Sequence, residues 1–215
     1  MAVTLDTAAR LRRSDVAETI RRERVIAIMR RLPARDIDQT VEALLRGGFS
    51  AIEFTVDSDD AHLAIARWRA AGRCLVGAGT VRSIDAVDPA VEAGAQFLVS
   101  PTYDESVVER ALELDVPCVP GAFSPSEIDR AWRQGATFVK LFPGGVVGPA
   151  YVSAVLNPLK DVEIVVTGGV DEGSARSFLE AGAVGLGVST AQLGQDDGPG
   201  AIESASRRLL TAIRD

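Results

Sequence analysis

Histidine, cysteine and lysine are scarce in this 215-residue chain, and each scarcity closes off a class of function. The one histidine, His62, falls in DDAHLA early in a helix-type segment. It reads as a solvated surface group, so a histidine-driven mechanism has little to work with. The two cysteines, Cys74 and Cys118, lie in separate apolar runs with no metal-ligand spacing and no secretory context. They read as small packing residues of a reducing compartment. No cluster of His, Cys, Asp and Glu has metal spacing, so no metal is expected. There is no run of about 18 apolar residues and no apolar signal core at the start, which predicts a cytoplasmic protein without a membrane span. Positive charge is outnumbered, 23 Lys and Arg against 30 Asp and Glu. A net charge of −7 argues against nucleic acid or an anionic membrane surface as the main partner. An anionic substrate must then be held by local features against an unfavourable overall field.

What is present is a repeat. A helix-period segment ends at a turn residue, a short β-type run follows, and the next helix opens after a polar turn. The joints at Gly48, Gly72, Gly94, Asp115 and Gly135 fall at 20 to 24-residue steps, the length of one αβ unit. Glycine just past a helix end is the left-handed cap that lets the chain reverse. The pattern predicts eight strands at 25–30, 51–56, 74–79, 96–100, 117–120, 136–142, 162–167 and 184–188. Helices are predicted at 35–46, 59–71, 83–93, 104–114, 124–134, 149–157, 172–181 and 200–213. Ser83 is a plausible N-cap of the third, and Ser124 with Pro125 opens the fifth. Strict alternation implies a parallel sheet covered on both faces. Eight repeats at this length fit an α/β fold of the (β/α)8 TIM-barrel type, a single domain over 1–215. A doubly wound open sheet is the alternative, weakened because no GxGxxG follows the first strand. Residues 1–24 form an N-terminal extension, in which Ser14-Asp15 opens a short capped helix that could cover the N-terminal mouth of the barrel.

Active sites of such barrels lie at the C-terminal ends of the strands. There the scarcity of lysine becomes informative: two lysines, Lys140 and Lys160, stand against 21 arginines. In ATFVKLFPGG, alternation puts Thr137, Val139 and Leu141 on one face and Phe138, Lys140 and Phe142 on the other. An amine among apolar neighbours has its charged form disfavoured and becomes a nucleophile near neutral pH, as a Schiff-base enzyme needs. A strand-end lysine can equally snorkel to solvent. Glu53 sits in the second strand between outward Ile52 and Phe54, which points it inward, where a desolvated carboxyl suits proton shuttling. A simple salt-bridge partner is the plainer reading. Arg30, ending the first strand, offers a planar fork to a carboxylate and disfavours a second positive charge nearby. The other strand ends carry Thr80, Pro101, Phe142, Thr167-Gly168-Gly169, and Gly187 with Ser189, all candidates for the substrate-facing wall. The glycines after the seventh and eighth strands can be plain turn residues, or can hold phosphate by backbone N–H groups.

With these residues in place, the segments AIMR, GGFSAIEFT, GAGTV, AQFLVSP, VPGAFSPSE, GATFVKLFP and VTGGV resemble, in order and separation, the class I 2-keto-3-deoxy-6-phosphogluconate / 4-hydroxy-2-oxoglutarate aldolase family. The resemblance runs from about residue 24 to the last helix. It implies Lys140 as the Schiff-base lysine, Glu53 as the proton shuttle and Thr80 as a substrate contact. It also implies Thr167, Gly168, Gly169 and Ser189 at the end of the site that holds phosphate or distal hydroxyls. The substrate class it implies is a small 2-keto acid, with no metal or organic cofactor and a homotrimeric assembly. One position departs: Asp57 stands where the phosphogluconate branch has an arginine four residues after the glutamate. Arg30 and the GPAY at 148–151 look more like the 2-keto-3-deoxy-6-phosphogalactonate branch, so the carboxylate role falls to Arg30. The residues also fit two other readings: a phosphate-gripping isomerase or epimerase with Lys140 as an electrostatic contact, and a non-catalytic keto-acid-binding barrel.

Overall fold

In the structure, a computed structural model that describes residues 13–214, every expected strand forms near its expected limits. The strands are β1 (Val25–Met29), β2 (Ala51–Thr55), β3 (Leu75–Gly79), β4 (Phe97–Val99), β5 (Cys118–Val119), β6 (Gly121–Ala122), β7 (Val139–Leu141), β8 (Ile164–Thr167) and β9 (Gly185–Ser189). Among the described residues there are nine rather than eight because the fifth segment, expected over 117–120, runs on to Ala122 and is interrupted at Pro120, a residue without an N–H to donate to a ladder. Its first half pairs with β4 and its second half with β7. All pairings are parallel, in the order β5-β4-β3-β2-β1-β9-β8-β7-β6. The two ends of that order are the two halves of one segment. There Thr137 N–H donates to the Cys118 carbonyl and Lys140 N–H to the Pro120 carbonyl, both at 2.9 Å. The sheet is thereby a nearly closed TIM-like barrel, and the doubly wound alternative is excluded, because β1 pairs with the last strand, β9.

The helices are α1 (Arg13–Glu23), α2 (Ala34–Gly47), α3 (Ala61–Ala71), α4 (Val87–Glu92), α5 (Glu105–Glu113), α6 (Pro125–Arg133), α7 (Gly148–Leu156), α8 (Glu172–Glu180) and α9 (Pro199–Arg214). The joints behave as their glycines predict: Gly48, Gly72, Gly94 and Gly135 have positive φ, and Asp115 adopts the same conformation where glycine is missing. Ser124 and Glu127 form a reciprocal capping box with Pro125 in the first turn of α6. The expected helix over 83–93 is a correction: 84–86 make a 3₁₀ turn, α4 begins at Val87, and Ser83 makes no side-chain cap bond. Pro89 accounts for this, since its ring clashes with the carbonyl four residues back and is tolerated only in a helix's first turn.

Side chains separate into two layers. Outward strand residues such as Ile52, Phe54, Val139, Leu141 and Val166 pack with the apolar faces of the helices. Inside the barrel, Ile26, Leu75, Phe97, Phe138 and Val165 pack with Val16, Ala17 and Ile20 of α1. The N-terminal helix therefore closes the N-terminal end of the barrel as expected, although Ser14 lies within it and not at its cap. Arg21 fixes it there by two 2.7 Å hydrogen bonds to Glu163, and Arg13 donates to the Thr137 hydroxyl at 3.0 Å. Residues 1–12 of the extension lie outside the described residues. With the N-terminal end filled, the opposite end is left for a site.

Candidate active site

A cavity of about 850 Å³ opens at the C-terminal ends of the strands. Lys140 enters it from β7 and Glu53 from β2, strands on opposite walls of the barrel. Their faces are those that alternation predicts: Val139 and Leu141 pack toward the helices, Phe138 inward, and Ile52 and Phe54 outward around Glu53. Lys140 is 6% exposed and Glu53 3%. Among the described residues neither side chain has a hydrogen bond, nor an ion pair within 4.0 Å. Both polar ends face the cavity.

Burial sets the protonation of the pair. Desolvation pushes the Lys140 amine below its ordinary value; Glu53 opposes that and the Arg30 charge adds to it. Desolvation pushes the Glu53 carboxyl up, against the pull of Lys140 and Arg30 and with help from Asp57. Each group moves toward its neutral form, because charge is poorly solvated there. A neutral amine is a nucleophile, and a carboxyl with a raised pKa is better able to hold and return a proton.

The other sequence-predicted residues arrive at the same cavity. Arg30 follows β1, Thr80 follows β3 and Pro101 follows β4. Phe142 follows β7, with the Lys140 Nζ 5.0 Å from its ring centroid. Thr167, Gly168 and Gly169 close the end of β8, and Gly187 and Ser189 that of β9. Gly168 has φ +82, and a Cβ there would come within 2.9 Å of the Phe142 ring. Its carbonyl accepts from Gly145 N–H at 2.7 Å, so the loops after β7 and β8 are tied together and the ring is held beside the amine.

Thr80 shows how the wall is shaped. Ala78 faces the helices, so a continued strand would send Thr80 the same way. Its backbone is left-handed instead, φ +60, and the residue lines the cavity. A β-branched residue in that region is strained by roughly 1–2 kcal/mol. Thr80→Gly is therefore expected to gain about 1 kcal/mol net of glycine's greater chain entropy, or about 2–4 °C in Tm for a chain this size, while kcat/KM falls. A melting curve checks the first part; a lower Tm would mean that the side chain's contacts outweigh its strain.

Arg30 lines the cavity mouth in company. It does not stand alone: its Nη2 lies 3.7 Å from the Asp57 Oδ2, and the Arg31 Nη2 lies 3.4 Å from the same oxygen. With its side chain half exposed, the pairing is weak and leaves the guanidinium available at the cavity mouth. Arg31, Arg82 and Gln192 also line the cavity and were not singled out from sequence. Gln192 accepts from the Ser189 N–H at 3.2 Å and its hydroxyl at 3.0 Å, and donates to the Val170 carbonyl at 2.7 Å, bracing the loop after β9. The S-x-x-Q spacing of a capping box could have flagged it. Arg31 and Arg82 sit in loops where no periodicity operates. Among the described residues no group of three or more His, Cys, Asp and Glu could hold a metal.

Comparison with known proteins agrees with this geometry. The profile of the KDPG and KHG aldolase family matches residues 16–199. A probable 2-dehydro-3-deoxy-6-phosphogalactonate aldolase of Rhizobium meliloti is 35% identical over 179 residues, 81% of this chain and 84% of its own. A 2-dehydro-3-deoxy-phosphogluconate aldolase of Treponema pallidum is 38% identical over 157 residues, 72% and 75% of the two chains. Among solved structures, native KDPGal superposes with a TM-score of 0.83 at 27% identity, over 88% of this chain and 94% of its own. The matched family spans the cavity and both of its buried ionisable residues, and the chain belongs to the KDPG and KHG aldolases.

Proposed function

We propose that the chain is a class I aldolase that cleaves a 2-keto-3-deoxy-6-phospho sugar acid, of gluconate or galactonate type, to pyruvate and an aldehyde such as glyceraldehyde 3-phosphate. The observation that carries this is the buried pair: an unpaired amine and an unpaired carboxyl projecting into one cavity from opposite walls. The neutral Lys140 amine attacks the C2 ketone, and loss of water from the carbinolamine leaves an iminium. The C3–C4 bond then breaks toward the iminium nitrogen, giving an enamine, as Glu53 takes the proton of the 4-hydroxyl and the aldehyde leaves. Glu53 returns a proton to C3, and water releases pyruvate and the free amine. Phe142, packed beside Lys140, and Pro101 form the apolar wall. Thr80 and Arg30 hold the carboxylate end, and Thr167, Gly168, Gly169, Gly187 and Ser189 the distal phosphate. Family membership supports a cytoplasmic homotrimer; no described helix is long and apolar enough to cross a membrane.

Pyruvate with borohydride tests the central step. The expected result is one reduced adduct, mapped by mass spectrometry to Lys140; an adduct on Lys160, or none, overturns the assignment. Arg30→Ala should raise KM about 10- to 100-fold, the worth of a charge-assisted hydrogen bond, with kcat changed far less. A steady-state titration of the phosphorylated keto acid measures both. An unchanged KM would move the carboxylate role to Arg31 or Arg82.

A further inference from the structure

Most glycines at the strand ends and joints have a backbone reason to be glycine, but Gly79 does not. It is the last residue of β3, in extended pairing with Thr55, and its φ is not among the positive ones. Any residue could adopt that conformation. What forbids a side chain is Glu53. A Cβ built on Gly79 would lie 1.8 Å from Glu53 Oε1, 2.4 Å from its Cδ and 2.6 Å from its Cγ. Overlap with three consecutive atoms cannot be relieved by a small rotation of the carboxyl.

The ladder explains how the two meet. Glu53 is paired with Gly77, not Gly79, so its side chain leans along the strand direction and reaches the level of the next inward position. Gly77 is already spoken for: a Cβ there would fall 2.2 Å from the Phe97 ring, which fills the barrel below. Nor can β3 withdraw, because the Gly79 carbonyl accepts from Val56 N–H at 2.8 Å and the strand is paired to both β2 and β4.

We infer that Gly79 is a positioning residue: the space of its missing side chain is the slot that holds the Glu53 carboxyl facing Lys140 across the cavity. The inference rests on the reading of Glu53 as the proton shuttle, and its test has one arm that does not. In the wild-type background, Gly79→Ala should lower kcat by roughly 10- to 100-fold, as expected for displacement of a catalytic group by about an ångström. KM should move little, and the pyruvate–borohydride adduct should still form on Lys140. Gly79→Ala should also lower Tm. Added to Glu53→Ala, the same change should lower neither kcat nor Tm further, since the alanine methyl then enters vacated space.

If Gly79→Ala lowers Tm equally with and without Glu53, the glycine serves the backbone and the inference fails. Wild-type kcat in the single variant would overturn it as well. Should the single variant not fold, folding of the Glu53→Ala/Gly79→Ala double variant supports the slot, and failure of both refutes it. If no variant or wild type cleaves any keto acid, the aldolase reading falls, while the Tm cycle still decides whether Gly79 makes room for Glu53.

Discussion

Lys140→Met is expected to reduce aldol cleavage by at least about 10⁴-fold, the scale seen when a covalent nucleophile is removed, and at the same time to raise Tm. Lys140→Arg should be equally inactive, because a guanidinium stays protonated at every usable pH and is not a nucleophile. The stability gain follows from the environment. Burying this amine costs free energy either as a desolvated ammonium or as the deprotonation that avoids one, and exchanging such a group for an apolar one of similar volume stabilises by roughly 1–4 kcal/mol. The sign with pH is definite. The folded-state pKa of Lys140 lies below its ordinary value of 10.5, so between the two the unfolded chain binds more protons than the folded one. Stability of the wild type therefore rises with pH across that window. The penalty is fully present below the folded pKa and gone above 10.5. The excess Tm of Lys140→Met should be largest at neutral pH and shrink as pH climbs toward 10.5. Melting curves of both proteins across pH 6–10 measure it, roughly the range between unperturbed histidine and lysine. A lysine variant no more stable than wild type at pH 7 would show the amine to be well hydrated and therefore a poor nucleophile.

The place of Lys140 in the cavity was legible in the sequence from strand alternation. Alternation fixes which face a strand residue takes, and it puts Lys140 on the inward face with Phe138. Glu53 was legible by the same rule, between Ile52 and Phe54. The repeat of helix, turn residue and strand located the barrel, because each joint carries its own conformational signal. What periodicity cannot carry is the local backbone of the loops. Thr80 reaches the cavity through a left-handed residue that no composition rule marks, and Arg31 meets Asp57 through another, φ +53. The sequence singled out Asp57 only as a missing arginine; its place between Arg30 and Arg31 depends on where the first two βα loops converge. Nothing in the local sequence marks Gly79, because the atoms that crowd its missing side chain belong to Glu53 on the neighbouring strand. Contacts between strands of that kind are absent from any one-dimensional pattern.

Glu53→Gln carries the second large effect, a fall in kcat of about 10²- to 10⁴-fold, the range for a positioned general acid–base. The amide keeps the size of the carboxyl and fits the same slot, so packing is preserved while proton transfer is lost. Pyruvate should still be trapped on Lys140 by borohydride, more slowly, because burial still lowers the pKa of the amine and the iminium can form with solvent protons. That separation distinguishes a proton shuttle from a residue needed to build the site. Its pH signature is opposite to that of the lysine. The folded-state pKa of Glu53 is raised above its ordinary 4.5, so between those values the folded chain binds more protons and stability falls as pH rises. The penalty is absent below 4.5 and complete above the folded pKa, so Glu53→Gln should be more stable than wild type at neutral pH and should lose that advantage in acid. In the wild type, the acidic limb of kcat/KM should lie above an ordinary glutamate pKa, and in Glu53→Gln that limb should vanish from the residual rate. A limb that persists unchanged in the variant would assign the proton transfer to another group. Among the described residues only the carboxyl of Glu53 and the amine of Lys140 are both ionisable and buried against this cavity, so persistence would point to Lys140 itself or to a substrate phosphate.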